Sequence, residues 1–230
     1  MNDGTRQLAL DLPVDPRLDP EDFLVSPSNE AAYGALEEWP NWPSRVMILV
    51  GPPGSGKTHL SAIWARRAKA WRLDVSNLTE DRVPHLVANS AIILEKGDEE
   101  PRNEAALFHL MNAMEERGGF VLITARSPLA SWGIQTPDLL SRLRRAATTL
   151  IEHPDDALLG ALLVKLLLDR QMIIDTSIVE YIRQRIGRSV DTVQRFVEMI
   201  DREGLARGRR ITRGLVSDCL RQFDNDIAEG

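Results

Sequence analysis

Positive charge is in short supply in this chain. Its 28 Lys and Arg are outnumbered by 34 Asp and Glu, for a net charge of −6. Broad electrostatic binding to DNA needs a basic face, so it is not expected here. The basic clusters Arg142-Leu143-Arg144-Arg145 and Arg207-Gly208-Arg209-Arg210 are local, either a small patch or solvated surface. Cysteine is almost absent. Cys219 has no partner for an internal disulfide, which suits a reducing, cytoplasmic setting, and its helical context reads as a small buried hydrophobe. No apolar run approaches the roughly 18 residues that would span a membrane. No basic start followed by an apolar core marks a signal peptide. Internal repeats are also missing.

Against this background one segment stands out, Gly51-Pro52-Pro53-Gly54-Ser55-Gly56-Lys57-Thr58. The apolar run Val46 to Val50 precedes it, and a helix-compatible stretch from His59 to Ala70 follows. Strand, glycine loop and helix together form the context in which G-x-x-x-x-G-K-[ST] binds phosphate. Glycines let consecutive N–H groups curl around an anion without a Cβ in the way. The helix N-terminus adds its dipole. Lys57 is placed to reach the β- and γ-phosphates and Thr58 to hold Mg²⁺. The expected ligand is a nucleoside di- or triphosphate, ADP or ATP.

Organisation along the chain follows from periodicity and punctuation. Residues 1–22 read as a tail, with Pro13, Pro16 and Pro20 among acidic residues and little apolar area to bury. Asn29 is placed to cap a helix running to Trp39. Strands are expected at 45–50, 72–75, 91–95, 119–124 and 147–151. Helices are expected at 57–70, 80–88, 103–117 and 137–144. Short apolar strands alternating with helices predict a parallel sheet covered on both faces. Beyond Pro154 the strands stop, and helices are expected at 155–170, 177–186, 190–204 and 213–227. Ser177 to Glu180 has the form of a capping box, and Gly187 and Gly204 are read as helix ends. The chain thus divides into a tail (1–22), an α/β nucleotide domain (23–153) and a helical lid (154–230).

A phosphate loop needs a partner strand that ends in acids. The candidate is Ala91-Ile92-Ile93-Leu94-Glu95-Lys96, in which Glu95 either assists Mg²⁺ or merely ends a buried strand. Lys96 falls where a second acid is expected. It cannot act as a base at neutral pH without strong desolvation, so it supplies a fixed charge beside the phosphates or an ion pair. Asp98, Glu99 and Glu100 lie beyond Gly97 and are assigned to a loop. Slow or absent self-hydrolysis follows. Thr124, ending the strand from Phe120, is the candidate sensor of the γ-phosphate. Arg142, in Thr136-Pro137-Asp138-Leu139-Leu140-Ser141-Arg142-Leu143, is either an arginine finger acting on a neighbouring subunit or a surface arginine. A finger would stand exposed on a protruding helix end. Arg188, after Gly187, either contacts phosphates from the lid or lies on the lid surface.

Several of these segments resemble the bacterial replication initiator DnaA and its relatives in the AAA+ class. They are Phe23-Leu24-Val25-Ser26-Pro27-Ser28-Asn29, the phosphate loop followed by His59-Leu60, and Leu139-Leu140-Ser141-Arg142-Leu143. The resemblance covers about residues 20–220. It implies an AAA+ parallel-sheet core with a C-terminal helical lid, and nucleotide contacts from Gly51 to His59, Glu95, Thr124 and Arg188. It supplies no counterpart of the initiator's helix-turn-helix domain, so sequence-specific DNA binding is not expected. In the tail, Gln7-Leu8-Ala9-Leu10-Asp11-Leu12 resembles the short peptide that docks on the DNA polymerase sliding clamp. There Gln7 would hydrogen-bond at the pocket edge, and Leu8, Leu10 and Leu12 would fill its apolar part.

The two resemblances together imply a negative regulator of replication initiation. Its partners would be DnaA and the clamp, a homo-oligomer (a dimer) is the expected assembly, and Arg142 would act on ATP held by the initiator. The departure from the family at Glu95-Lys96 puts self-hydrolysis in doubt but leaves action on a partner's ATP intact. Two other functions stay open: an active ATPase that remodels or loads another factor, such as a helicase loader, and a non-catalytic adaptor stabilised by nucleotide.

Overall fold

The computed structural model describes residues 18–172, 174–207 and 211–229. It contains two compact units, one spanning Leu18–His153 and the other made of the helices that follow Pro154. The segment Gln7 to Leu12 lies outside the described residues.

In the first unit a five-stranded parallel sheet is built from β1 (Val46–Val50), β2 (Trp71–Asp74), β3 (Ala91–Glu95), β4 (Phe120–Ala125) and β5 (Ala147–Leu150). The spatial order is β2-β3-β4-β1-β5. The helices are α1 (Glu30–Glu37), α2 (Lys57–Ala68), α3 (Val83–Leu86), α4 (Glu104–Glu116) and α5 (Pro137–Arg145). Every residue of β1 and β4 is buried, whereas the outer strands β2 and β5 are largely not. Interior strands covered on both faces are apolar at nearly every position, and this explains the unbroken run from Val46 to Val50.

Side-chain alternation along each strand sends consecutive residues into two cores. Ile48, Val50, Ile92, Leu94, Val121 and Ile123 meet α4 and α5 through Leu107, Leu110, Leu139 and Leu143. Met47, Leu49, Ile93 and Leu122 meet α1 and α2 through Leu36, Leu60 and Trp64 on the opposite face. Burying each such side chain contributes about 1.5–3 kcal/mol. Trp64 is stacked on Trp42, their ring centres 5.1 Å apart.

The second unit consists of α6 (Asp156–Asp169), α7 (Thr176–Arg183), α8 (Val190–Arg207) and α9 (Arg213–Glu229). α6 packs on α7 and α8, and α9 packs on α7 and α8. Leu163, Ile182, Phe196, Val197, Val216 and Cys219 are buried here.

Four local expectations are corrected. α7 is capped by Asp175, whose side chain accepts from Ser177 N–H, and not by the Ser177–Glu180 box. Gly204 does not end α8, which runs on to Arg207. A helical glycine costs about 1 kcal/mol, and the buried Val193, Phe196, Val197 and Ile200 on the same helix outweigh it. Asn29 stands at the N-cap of α1 without capping it. Its side chain turns back to accept from Ser26 N–H and donate to Leu24 C=O. Residues 18–22, read as tail, belong to the first unit.

Candidate nucleotide-binding site

The carboxyl ends of β1, β3 and β4 lie along one edge of the sheet, where open α/β sheets take their ligands. β1 leads straight into the loop 51–56, and α2 begins at Lys57. Gly51 N–H donates to Ala125 C=O at 3.1 Å, tying the loop to the end of β4. A Cβ on Gly51 would come within 2.8 Å of both Ile151 O and Ser55 Oγ, so no side chain fits there. Gly56, the residue before α2, has φ +98°, a conformation that favours glycine. The Ser55 hydroxyl is buried in the loop without a partner, and the first-turn N–H groups of α2 have no intrahelical acceptors. Together these are the fittings of a phosphate cradle.

Lys57 Nζ donates to Gly51 C=O at 2.6 Å and to Pro52 C=O at 2.8 Å, so its ammonium sits within the loop. Burial, and then the nearby Arg126 guanidinium, hold its pKa below the usual lysine value, with the Asp98 carboxylate acting in the opposite sense. Thr58 is exposed at the start of α2.

His59, expected at the nucleotide, anchors the N-terminal segment beside the loop. Its Nε2 lies 2.8 Å from Asp19 C=O, and its ring meets Phe23 edge-on at 5.3 Å. Asp19 also pairs with Arg66 of α2. Phe23 stacks on Tyr33, and its ring edge lies 3.6 Å from where a Gly56 Cβ would stand. An aromatic wall thus borders the loop. A nucleobase can stack on such a wall.

At the end of β3 the two residues read as acid positions both turn to the outer strand. Glu95 lies 3.2 Å from Arg72 of β2, on the side of β3 remote from β1. Lys96, at φ +58°, lies 2.8 Å from Asp74. The bond to Asp74 raises the Lys96 pKa. Of the two expectations for Lys96, the ion pair is therefore the one found. Glu95 pairs with Arg72, and the β2–β3 register, which sets Asp74 beside Glu95, gathers these charges at the end of the two strands.

Asp98, assigned to an outlying loop, returns to the site. Gly97 N–H donates to Thr124 C=O at 2.8 Å. A Cβ on Gly97 would lie 2.4 Å from Ile123 Cγ2, so only glycine lets the chain lie flat on β4. Asp98 Oδ2 then accepts from Arg126 N–H (3.0 Å), Ser127 N–H (2.9 Å) and the Ser127 hydroxyl (2.8 Å). Burial works to raise its pKa, but these bonds prevail and hold the carboxyl below its usual value. A glycine one residue beyond the end of β3, with an acid behind it, was the available signal.

Thr124 is buried at the end of β4, opposite Leu49 of β1. Its hydroxyl accepts weakly from Lys96 N–H at 3.4 Å.

No protein-family model matches the chain, and no curated protein does. Solved structures do. Domain III of the Thermotoga maritima replication initiation protein DnaA superposes with a TM-score of 0.78 at 16% identity, covering 92% of this chain and 99% of that one. AMPPCP-bound DnaA from Aquifex aeolicus gives 0.69 at 17% identity, covering 85% and 68%. The Thermotoga maritima RuvB Holliday junction branch migration motor gives 0.63 at 17%, covering 84% and 66%. The fold is the AAA+ fold.

On this AAA+ unit Arg142 lies on α5, but it is not the free, protruding arginine expected. Its guanidinium lies 2.6 Å from Glu115 of α4 and 5.4 Å from the centre of the Phe108 ring. The phase of α5 is the reason. Leu139 and Leu143 face the core, and Arg142, one residue before Leu143, lies along the flank of that stripe and meets α4. Arg144 and Arg145 are exposed. In the helical unit Arg188 lies 3.5 Å from Asp156 and is 77% exposed.

Proposed function

We propose that the protein is a nucleotide-bound regulator of replication initiation of the Hda kind, the DnaA homologue that inactivates the initiator once replication has begun. ADP or ATP would occupy the loop 51–58. Lys57 would contact the β- and γ-phosphates, Thr58 would contact Mg²⁺, and Phe23 and Tyr33 would border the base. The nucleotide analogue in the Aquifex aeolicus DnaA structure supports such a ligand in this fold. Arg188 would contact phosphates from the lid, and Thr124 would sense the γ-phosphate. The Gln7–Leu12 segment would dock on the sliding clamp, and Arg142 would reach ATP held by DnaA.

The observation that carries this reading is the pairing of an intact phosphate cradle with a disarmed β3 terminus. Lys57 is in place within the loop, while Glu95 and Lys96 are engaged by Arg72 and Asp74. A site built that way suits holding a nucleotide better than turning it over. Its catalytic effect is then exerted on a partner that brings its own acids. An arginine supplied in trans is worth about 10³–10⁵ in rate.

One observation favours the adaptor instead, namely the engagement of Arg142 by Glu115. The deciding experiment measures phosphate release from ATP-loaded initiator in the presence of DNA-loaded clamp and this protein. Stimulation by wild type that is lost in Arg142→Ala supports the regulator. Equal stimulation by both removes the finger. Binding to clamp and initiator without stimulation identifies an adaptor, and turnover by the protein alone of about 1 s⁻¹ or more identifies an active ATPase of the helicase-loader kind.

A further inference from the structure

The β3 terminus leaves the phosphate loop without an acid from the expected place, yet a carboxylate does stand at its mouth. Ala125 C=O accepts from Gly51 N–H, and the next two residues, Arg126 and Ser127, donate to Asp98 Oδ2. Asp98 is therefore held one peptide away from the backbone that bonds the first residue of the loop. Three donors converge on one of its oxygens, fixing the carboxylate. The other oxygen, Oδ1, is buried and has no partner. A buried carboxylate oxygen left unpaired is costly unless something fills its coordination. The local charges match a nucleotide polyphosphate with a cation: Arg126 lies near enough to Lys57 to lower its pKa, and Asp98 acts on Lys57 in the opposite sense.

We propose that Asp98, through Oδ1, is the protein carboxylate for the divalent cation that accompanies the nucleotide, a duty that has moved from the β3 terminus to the loop behind Gly97. This rests on the nucleotide-binding reading above. Among the described residues no group of three or more His, Cys, Asp or Glu could hold a metal, so the ion would be held jointly with phosphate oxygens. Mg²⁺ is commonly bound in that way, through one or two carboxylates, substrate phosphates and retained waters. Arg126, tethered by Glu99 at 3.2 Å, would flank the same phosphates.

The test is ADP and ATP affinity of the full chain, with Mg²⁺ and with EDTA, for wild type, Asp98→Asn, Ser127→Ala and Glu95→Gln. Wild type should bind more tightly with Mg²⁺. In Asp98→Asn that advantage should shrink by about tenfold or more, while binding in EDTA should hold or tighten because a negative charge beside the phosphates is gone. Glu95→Gln should keep the Mg²⁺ advantage, and Ser127→Ala, which removes one of the three donors to Asp98, should reduce it by less than Asp98→Asn does. Equal weakening of Asp98→Asn in both conditions makes Asp98 a structural anchor and overturns the proposal, as does loss of the advantage in Glu95→Gln. Wild type that binds nucleotide in neither condition overturns the nucleotide reading itself. A readout without substitution covers the case in which Asp98→Asn fails to fold: Mn²⁺ added with ADP to wild type should broaden the amide signals of Arg126 and Ser127. Broadening centred on Arg72 and Asp74 instead overturns the proposal.

Discussion

Arg142 of α5 and Glu115 of α4 form a 2.6 Å ion pair within one AAA+ unit, with Glu115 63% exposed. Such a wet pair is worth about 0–1 kcal/mol, and the contact with Phe108 adds about 0.5–1 kcal/mol. A finger acting in trans returns roughly 4–7 kcal/mol as a rate factor of about 10³–10⁵. If Arg142 acts as a finger, the pair is weak enough for a partner's γ-phosphate to open.

If Arg142 is the finger, Glu115→Gln should stimulate initiator ATP hydrolysis at least as well as wild type, by up to about fivefold at subsaturating protein. Arg142→Ala should abolish stimulation with less than about 1–2 kcal/mol of lost stability. Arg142→Lys should rescue poorly, because an ammonium lacks the planar fork. Phosphate release and thermal melts on the same samples check all three, and unchanged stimulation in Arg142→Ala sinks the assignment.

Lys57→Ala should weaken ADP and ATP binding and erase the nucleotide-induced rise in melting temperature. For wild type that rise corresponds to about 2.7 kcal/mol at a hundredfold excess over Kd. The pH dependence has a definite sign. Lys57 is held below the usual lysine pKa, so the folded protein binds fewer protons there than the unfolded chain. This lysine's contribution to stability therefore improves as pH rises from its folded toward its unfolded pKa. Nucleotide affinity runs the other way and falls as the ammonium is lost, beginning below the usual lysine range. A Kd series at alkaline pH should show that fall in wild type and not in Lys57→Ala.

Gly97→Ala should disturb the site from outside it. The new methyl would meet Ile123 Cγ2 at 2.4 Å, and overpacking of that kind costs about 1–3 kcal/mol. It should also lift Asp98 off Arg126 and Ser127, reducing the Mg²⁺ dependence of nucleotide binding. Chemical denaturation and titration with and without Mg²⁺ would read both effects, and a neutral substitution would mean the loop has another way to lie on β4.

Self-hydrolysis should stay well under about 1 s⁻¹, and Lys96→Asp alone should not restore it. The new carboxylate would face Asp74, which now holds Lys96, and would be repelled toward solvent. Steady-state phosphate release at saturating Mg-ATP is the measurement, and rapid turnover by either protein would favour the active-ATPase alternative.

Deleting residues 1–13 should abolish capture on immobilised clamp while leaving nucleotide binding unchanged, because the phosphate cradle is built from residues 46–58. With residues 18–22 part of the first unit, the spacer from Pro13 to Arg17, about five residues at roughly 3.1 Å each, would allow a reach of about 15 Å. Retained capture would make the Gln7–Leu12 likeness accidental.

Local features of this protein were legible in the residues because local physics decides them. Runs buried on both sheet faces had to be almost wholly apolar, which marked β1, β3 and β4. The glycines at 51, 54 and 56, with Lys57 and Thr58, marked the phosphate loop, since few other residues permit that backbone. Helix ends were less legible, as Gly204 and Asp175 illustrate, because burial elsewhere on a helix can outweigh one residue's propensity. The partners of charged side chains were not legible at all. Glu95, Lys96, Asp98 and Arg142 are ordinary residues whose roles depend on which strand or helix lies beside them. That was settled by the β2-β3-β4-β1-β5 order, the β2–β3 register and the phase of α5 against α4. Strand order and interhelical phase are set by burial summed over the whole unit, so only the tertiary structure could turn Glu95 toward Arg72, fold Asp98 back behind Gly97 and close Arg142 on Glu115.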